Sequence, residues 1–156
     1  MTKIAKIFAT FFGVGLLPFA PGTWGSVTAL PLGYLIVSLG GVELLLIATA
    51  AMLIIGTWAS GVTSEQMGVH DPSLIVIDEV VGQWLTLLVA PLNIFWYFVG
   101  FILFRVFDII KPWPISWADK NIKGGFGVMF DDLIAGIFAA IALWISQIAY
   151  QNFTLD

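Results

Sequence analysis

The sequence predicts an all-α fold: a polytopic membrane helical bundle of about five transmembrane helices, preceded by a short N-terminal interfacial or re-entrant helix. Three observations carry this expectation. Of 156 residues, 60% are hydrophobic and only 10% charged, where a soluble domain carries about 25% charged residues. Apolar runs approaching the roughly 20 residues that cross about 30 Å of hydrocarbon recur along the chain. The basic residues also fall where a single side of a membrane would collect them. No composition break, charge block or repeat divides the chain, so residues 1–156 read as a single integral-membrane domain.

The first apolar stretch, Ile4–Ala20, follows Lys3 and Lys6 and so resembles a signal peptide. No small-x-small cleavage site follows; the chain continues into Pro18-Phe-Ala-Pro-Gly22 instead. As a helix, Ile7–Leu17 would reach only about 16 Å, too short to span. The remaining runs place crossings at 26–41, 44–61, 73–91, 94–110 and 133–150. Gly40-Gly41 separates the first two and Pro91-Leu92-Asn93 the third and fourth, each as a tight hairpin.

With the N-terminus inside, Lys3, Lys6, Arg105, Lys111, Lys120 and Lys123 all fall on the cytoplasmic side, and only Glu43 and Asp156 face out. The same assignment gathers Glu65, His70, Asp71, Asp78, Glu79, Asp108, Asp119, Asp131 and Asp132 at the cytoplasmic face. Scattered lysines build no basic face, so a nucleic-acid partner is excluded. Absence of cysteine excludes disulfides, thiolate–metal sites and cysteine nucleophiles.

Two carboxylate pairs open two of the crossings. Asp78-Glu79 lies in the third, where adjacent carboxylates at depth repel unless a cation sits between them; acidic residues also suit a helix N-terminus. Asp131-Asp132 precedes the fifth, and one Asp there would serve as an N-cap. Gly82 and Gly136 each follow an acidic residue by four positions, on the same helical face. Small residues let membrane helices approach closely, so the third and fifth helices are expected to bring both pairs into one metal-sized pocket. Oxygen ligands without cysteine favour Mg²⁺.

Arg105, Asp108 and Lys111 recur at steps of three on the fourth helix, giving either a phosphate clamp oriented by Asp108 or snorkelling cations with an internal ion pair. Lys111-Pro-Trp-Pro114 stops that helix. Pro21-Gly-Thr-Trp-Gly-Ser26 offers two readings: Ser26 as an N-cap, or Thr23, Ser26 and backbone N–H groups holding a phosphate. Gly124–Gly127 reads first as a loop. His70-Asp71, between the second and third crossings, is a structural pair or an acid–base pair near neutral pH.

Taken together, Met67-Gly-Val-His-Asp71, Ile75-Val-Ile-Asp-Glu79-x-x-Gly82-x-Trp84, Phe104-Arg-x-x-Asp108-x-x-Lys-Pro-Trp-Pro114 and Gly124-Gly-x-Gly-x-Met-x-Asp-Asp132-x-x-Ala-Gly136 resemble the phosphatidylglycerophosphatase A family, as does Pro21-Gly-Thr-x-Gly-Ser26. The motifs stand in family order over residues 8–150. The resemblance implies a Mg²⁺-dependent enzyme of the bacterial cytoplasmic membrane that removes the terminal phosphate of phosphatidylglycerophosphate. Its implied partners are that lipid and the bilayer, with no obligate protein partner evident.

The candidate catalytic residues are then Asp78, Asp108, His70 and Asp71. Arg105, Lys111, Thr23, Ser26 and Lys120 are the candidate phosphate ligands, and Asp78, Glu79, Asp131 and Asp132 the candidate metal ligands. The chain has no Asp-x-Asp for an aspartyl nucleophile of the haloacid dehalogenase type, a single histidine where the type-2 phosphatidate phosphatase relatives need two, and no CDP-alcohol phosphotransferase motif. Metal-activated water is the remaining mechanism, with an Asp nucleophile as its variant. A small transporter or proton channel is the rival reading, since intramembrane carboxylates also mark ion pathways; a pathway would continue into the outer halves of the helices, which carry no charge.

Overall fold

A computed structural model describes residues 3–155; Asp156, expected on the outer side, lies outside them. Among the described residues all regular structure is helical: α1 (Lys3–Ala9), a 3₁₀ turn (Val14–Leu16), α2 (Pro21–Met67), α3 (Ile77–Leu87), α4 (Ile94–Ile110), α5 (Ile115–Asn121) and α6 (Gly124–Leu155).

The N-terminal segment is more broken than expected. α1 ends at Ala9 instead of continuing to Leu17, because Phe11, Phe12 and Gly13 all take positive φ. Buried Ala9 then accepts a hydrogen bond from Val76 N–H at 2.9 Å, tying the segment to the approach to α3.

α2 begins at Pro21, whose missing N–H costs nothing at the first helical position. Ser26 is therefore no N-cap; it lies inside the helix and donates to Gly22 C=O at 3.1 Å. Gly40 (φ −147°, ψ 20°) and Gly41 (φ 71°, ψ −175°) are not helical, and Gly41 uses a left-handed φ that suits glycine. The expected hairpin forms there. Gly25 lies against Val76, and Gly33 against Trp84 and Leu87, so residues 21–39 run in the same direction as α3. Gly56 meets Ile77 while Leu45 joins the cluster around Trp84 and Leu87, so residues 42–67 run back the other way. The two halves measure roughly 28 and 39 Å at 1.5 Å per residue.

α3 is the interior helix. Only Glu79 and Leu85 among its residues escape burial. It occupies 11 residues, about 16 Å, well short of the crossing expected over 73–91. Residues 73–76 are spent on turns: Ile75 N–H bonds Pro72 C=O, and Val76 N–H bonds Ala9. α4 is capped by the Asn93 side chain, which accepts from Phe95 N–H at 2.8 Å. It ends where Lys111 turns left-handed (φ 45°).

Two helices, Pro21–Met67 and Gly124–Thr154, are long and apolar enough to cross a bilayer. The expected count of about five crossings is not reached by that measure. A hydropathy run counts apolar turn residues as if they were helical, and so overestimates α3. The bundle's outer faces nevertheless expose Ile47, Ile54, Phe98, Ile102, Ile109, Ile141 and Trp144. Such a surface suits lipid rather than water.

The spacing argument for α3 and α6 is met in detail. A Cβ on Gly136 would lie 2.6 Å from Gly82 C=O, and one on Gly82 would lie 2.7 Å from Asp132 C=O. Thr86 Oγ1 adds a 3.3 Å bond to Gly136 C=O. Where both sides of an interface are apolar, such backbone contact supplies the dispersion and polar attraction that oily side chains alone do not.

Candidate metal and phosphate site

Asp78 and Glu79 lie in the first turn of α3, and Asp132 lies two turns inside α6. One carboxylate oxygen from each falls within 4.8 Å of the others. Opposite ligands of octahedral Mg²⁺ stand about 4.2 Å apart, so a slight closing of these side chains fits a hard cation. Asp78 and Asp132 are buried, and Asp78 Oδ1 and Glu79 Oε2 have no hydrogen-bond partner. Three like charges in that space repel one another strongly. The donor set, its spacing and its orphaned oxygens all fit a divalent ion. N-capping does not account for Asp131-Asp132, because α6 begins at Gly124 and not near 133. The glycines read as a loop are helical, and Gly125 packs directly on Thr57 C=O and Gly61 of α2.

Beside the triad lies an arginine relay. Gly22 lies so close under the Glu79 carboxylate that a Cβ there would collide with Oε1. Arg105 pairs with Asp108, and its Nη1 donates to Ser26 Oγ at 3.3 Å. Asp108 is buried and near enough to Glu79 and Asp132 for its charge to act on both. Thr23 is half-buried in the first turn of α2 and makes no side-chain hydrogen bond.

Asp131 stands apart from its neighbour. Its Oδ2 accepts from Lys111 Nζ at 2.7 Å, and Asp119 Oδ1 accepts from the same ammonium at 2.8 Å. Lys111 therefore does not share the Arg105 face: the left-handed turn swings it toward α5 and α6. Burial pulls its ammonium pKa down, but the hydrogen bonds to Asp119 and Asp131 more than offset this and hold it above the ordinary lysine range. Asp71 joins this group. Loss of solvent around its carboxyl and the Asp131 and Asp119 charges push it up to about 6, against Lys111 and His70 pulling down. His70 Nε2 lies 3.1 Å from Ile122 C=O, tying its loop to the start of α6. Lys120 is exposed on α5.

Sequence reasoning gave two residues no role. Asp119 carries no motif; its role depends on the Lys111 turn. Gln83 had a visible signal, a lone amide in the apolar run Val80–Leu87. It is fully buried with neither amide atom partnered, and burying such a group unbonded costs roughly 2–7 kcal/mol.

The family model for phosphatidylglycerophosphatase A matches residues 7–147. Phosphatidylglycerophosphatase A of Escherichia coli is 42% identical over 92% of this chain and 84% of its own. The Haemophilus influenzae protein of that name is 44% identical over 90% and 87%. A Bacteroides thetaiotaomicron protein, provisionally named a phosphatidylinositol-3-phosphatase, is 40% identical over 89% and 93%. No solved structure matches.

Proposed function

The chain belongs to the phosphatidylglycerophosphatase A family, and from that premise we propose that this phosphatase hydrolyses the terminal phosphate of phosphatidylglycerophosphate at the cytoplasmic face of a bacterial membrane. The observation that carries the reading is the largely buried triad of Asp78, Glu79 and Asp132, with two orphaned oxygens, beside the Arg105–Asp108 pair.

In this reading Asp78, Glu79 and Asp132 hold Mg²⁺. When bound, that ion lowers the pKa of a coordinated water and offsets charge on the phosphoryl oxygens. Arg105 presents a planar fork to two phosphate oxygens, which a lysine ammonium cannot match. Asp108 and Ser26 fix the guanidinium before the substrate arrives, so its ordering entropy is already spent. Asp71, with a carboxyl near 6, is poised to exchange a proton at neutral pH. Lys111 braces α5 and α6 by holding Asp119 and Asp131. Both halves of α2, α4 and α6 cross the bilayer, while α3 carries the acidic pair at its N-terminal end and needs residues 88–93, beside the far end of α6, to complete its own crossing. The basic residues orient that end to the cytoplasm.

The test is inorganic phosphate release by the purified protein in mixed micelles, with Mg²⁺ or with EDTA. Phosphatidylglycerophosphate, phosphatidylinositol 3-phosphate and phosphatidic acid are compared. Mg²⁺-dependent release, fastest from phosphatidylglycerophosphate, is expected. Faster release from the inositol lipid would reassign the substrate, and release undiminished by EDTA would remove the metal.

A further inference from the structure

Gln83 is buried without partners one helical turn beyond Glu79 on the same face of α3. Its level in the bundle follows from register. Gly22 packs on Glu79, and the Trp84 Nε1–H donates to Ala29 C=O at 2.9 Å. Residues 21–39 run alongside α3 in the same direction, so Gln83 lies level with Ser26. Arg105 reaches Ser26 from the other side, and its own Nε is also buried and partnerless. Three residues near this level carry four unmet polar atoms: Gln83 Oε1 and Nε2, Arg105 Nε and Glu79 Oε2.

We propose that Gln83 is a positioning residue for the triad, its amide joining Arg105 to Glu79 through an internal water. The donors and acceptors match around that water. Arg105 Nε–H donates to the water, which donates to Gln83 Oε1 and to Glu79 Oε2. That gives the water three partners, the number a buried water ordinarily has. The arrangement fixes which lone pairs Glu79 turns toward Asp78 and Asp132, and it locks the guanidinium plane. Gln83 touches neither metal nor substrate.

This inference rests on the triad being the metal site, and the test separates the two. Mn²⁺ binding to wild type and Gln83→Met is followed by electron paramagnetic resonance, and melting of both is followed without metal. Methionine keeps the length and removes both polar atoms. Removing an outer hydrogen-bond partner of a metal ligand weakens metal affinity by roughly 10–100-fold, so a Mn²⁺ dissociation constant raised at least about 10-fold is expected. A kcat lowered about 10-fold with KM within about twofold should accompany it. Metal-free Gln83→Met should also melt lower, because Arg105 Nε loses its partner. A higher melting temperature with unchanged Mn²⁺ binding would show a dry, idle amide and overturn the proposal. Absence of Mn²⁺ binding by wild type would overturn the metal reading and this role with it. If Gln83→Met does not fold, Gln83→Asn, with the amide one methylene short, replaces it: weaker Mn²⁺ binding supports the proposal and wild-type binding overturns it.

Discussion

Two clusters of carboxylates lie at one end of this bundle, built from the same residue types and sharing adjacent residues of α6. In one, Asp119 and Asp131 close on the Lys111 ammonium at 2.8 and 2.7 Å. In the other, Asp78, Glu79 and Asp132 converge within 4.8 Å on nothing the chain supplies. The first cluster carries its own cation, whereas the second has room for one from outside. Asp131 and Asp132 are split between them because successive helical residues point about 100° apart. Identical chemistry thus becomes a brace on one side of a helix and a candidate binding site on the other.

The largest expected effect tests that split. Asp78→Asn, Glu79→Gln and Asp132→Asn should each reduce phosphate release by about 100-fold or more, near 2.7 kcal/mol. Asp131→Asn should stay within about 10-fold of wild type, about 1.4 kcal/mol at most. Steady-state kinetics on the four variants would erase the distinction if Asp131→Asn fell as far as Asp132→Asn.

A middle-sized effect should appear in stability. Lys111→Ala leaves buried Asp131 without its cation. Removing one partner of a buried pair costs about 3–5 kcal/mol; Lys111 is partly exposed, so about 1–3 kcal/mol is expected here. Its Mg²⁺-induced rise in melting temperature should survive, because the triad is intact, while Asp132→Asn should lose that rise. Melting curves with and without Mg²⁺ check both, and a Lys111→Ala protein blind to Mg²⁺ would merge the clusters into one site.

The smallest effect concerns Asp71, at the edge of the brace. Its folded-state carboxyl near 6 lies above the ordinary 3.8. Below about pH 4 both folded and unfolded chains are protonated there, and its contribution to stability is fully present. That contribution is lost as pH rises to 6, because the unfolded chain ionises first. The metal-free melting temperature should therefore drop across this window, and Asp71→Asn should flatten part of the drop. An identical pH profile for the variant would remove Asp71 from the cluster's electrostatics.

Much of this was legible before any coordinates. Paired carboxylates in an apolar chain, glycines four residues on, and the Gly40-Gly41 break all state local rules that the fold obeys. What escaped was direction. Gly124–Gly127 reads as a loop because glycine is a poor helix former, yet here its missing side chain lets α6 lie on the α2 backbone, which starts the helix two turns before Asp132. Lys111 reads as the next step on the Arg105 face until the left-handed turn at φ 45° carries it elsewhere. Hydropathy misplaces the ends of α3 because it cannot see that Val76 N–H is given to Ala9. Adjacency of Asp131 and Asp132 suggested a shared task, and only packing of α6 between two neighbours separates them.

Gly22 changes how damage to this protein would be interpreted. It bears no functional group and sits outside both acidic motifs. Any side chain there would nonetheless displace the Glu79 carboxylate. An allele carrying alanine at position 22 would look, to a genetic screen, like the loss of a ligand some 57 residues away in the sequence. Steric shape at one backbone position is, for such a screen, indistinguishable from chemistry.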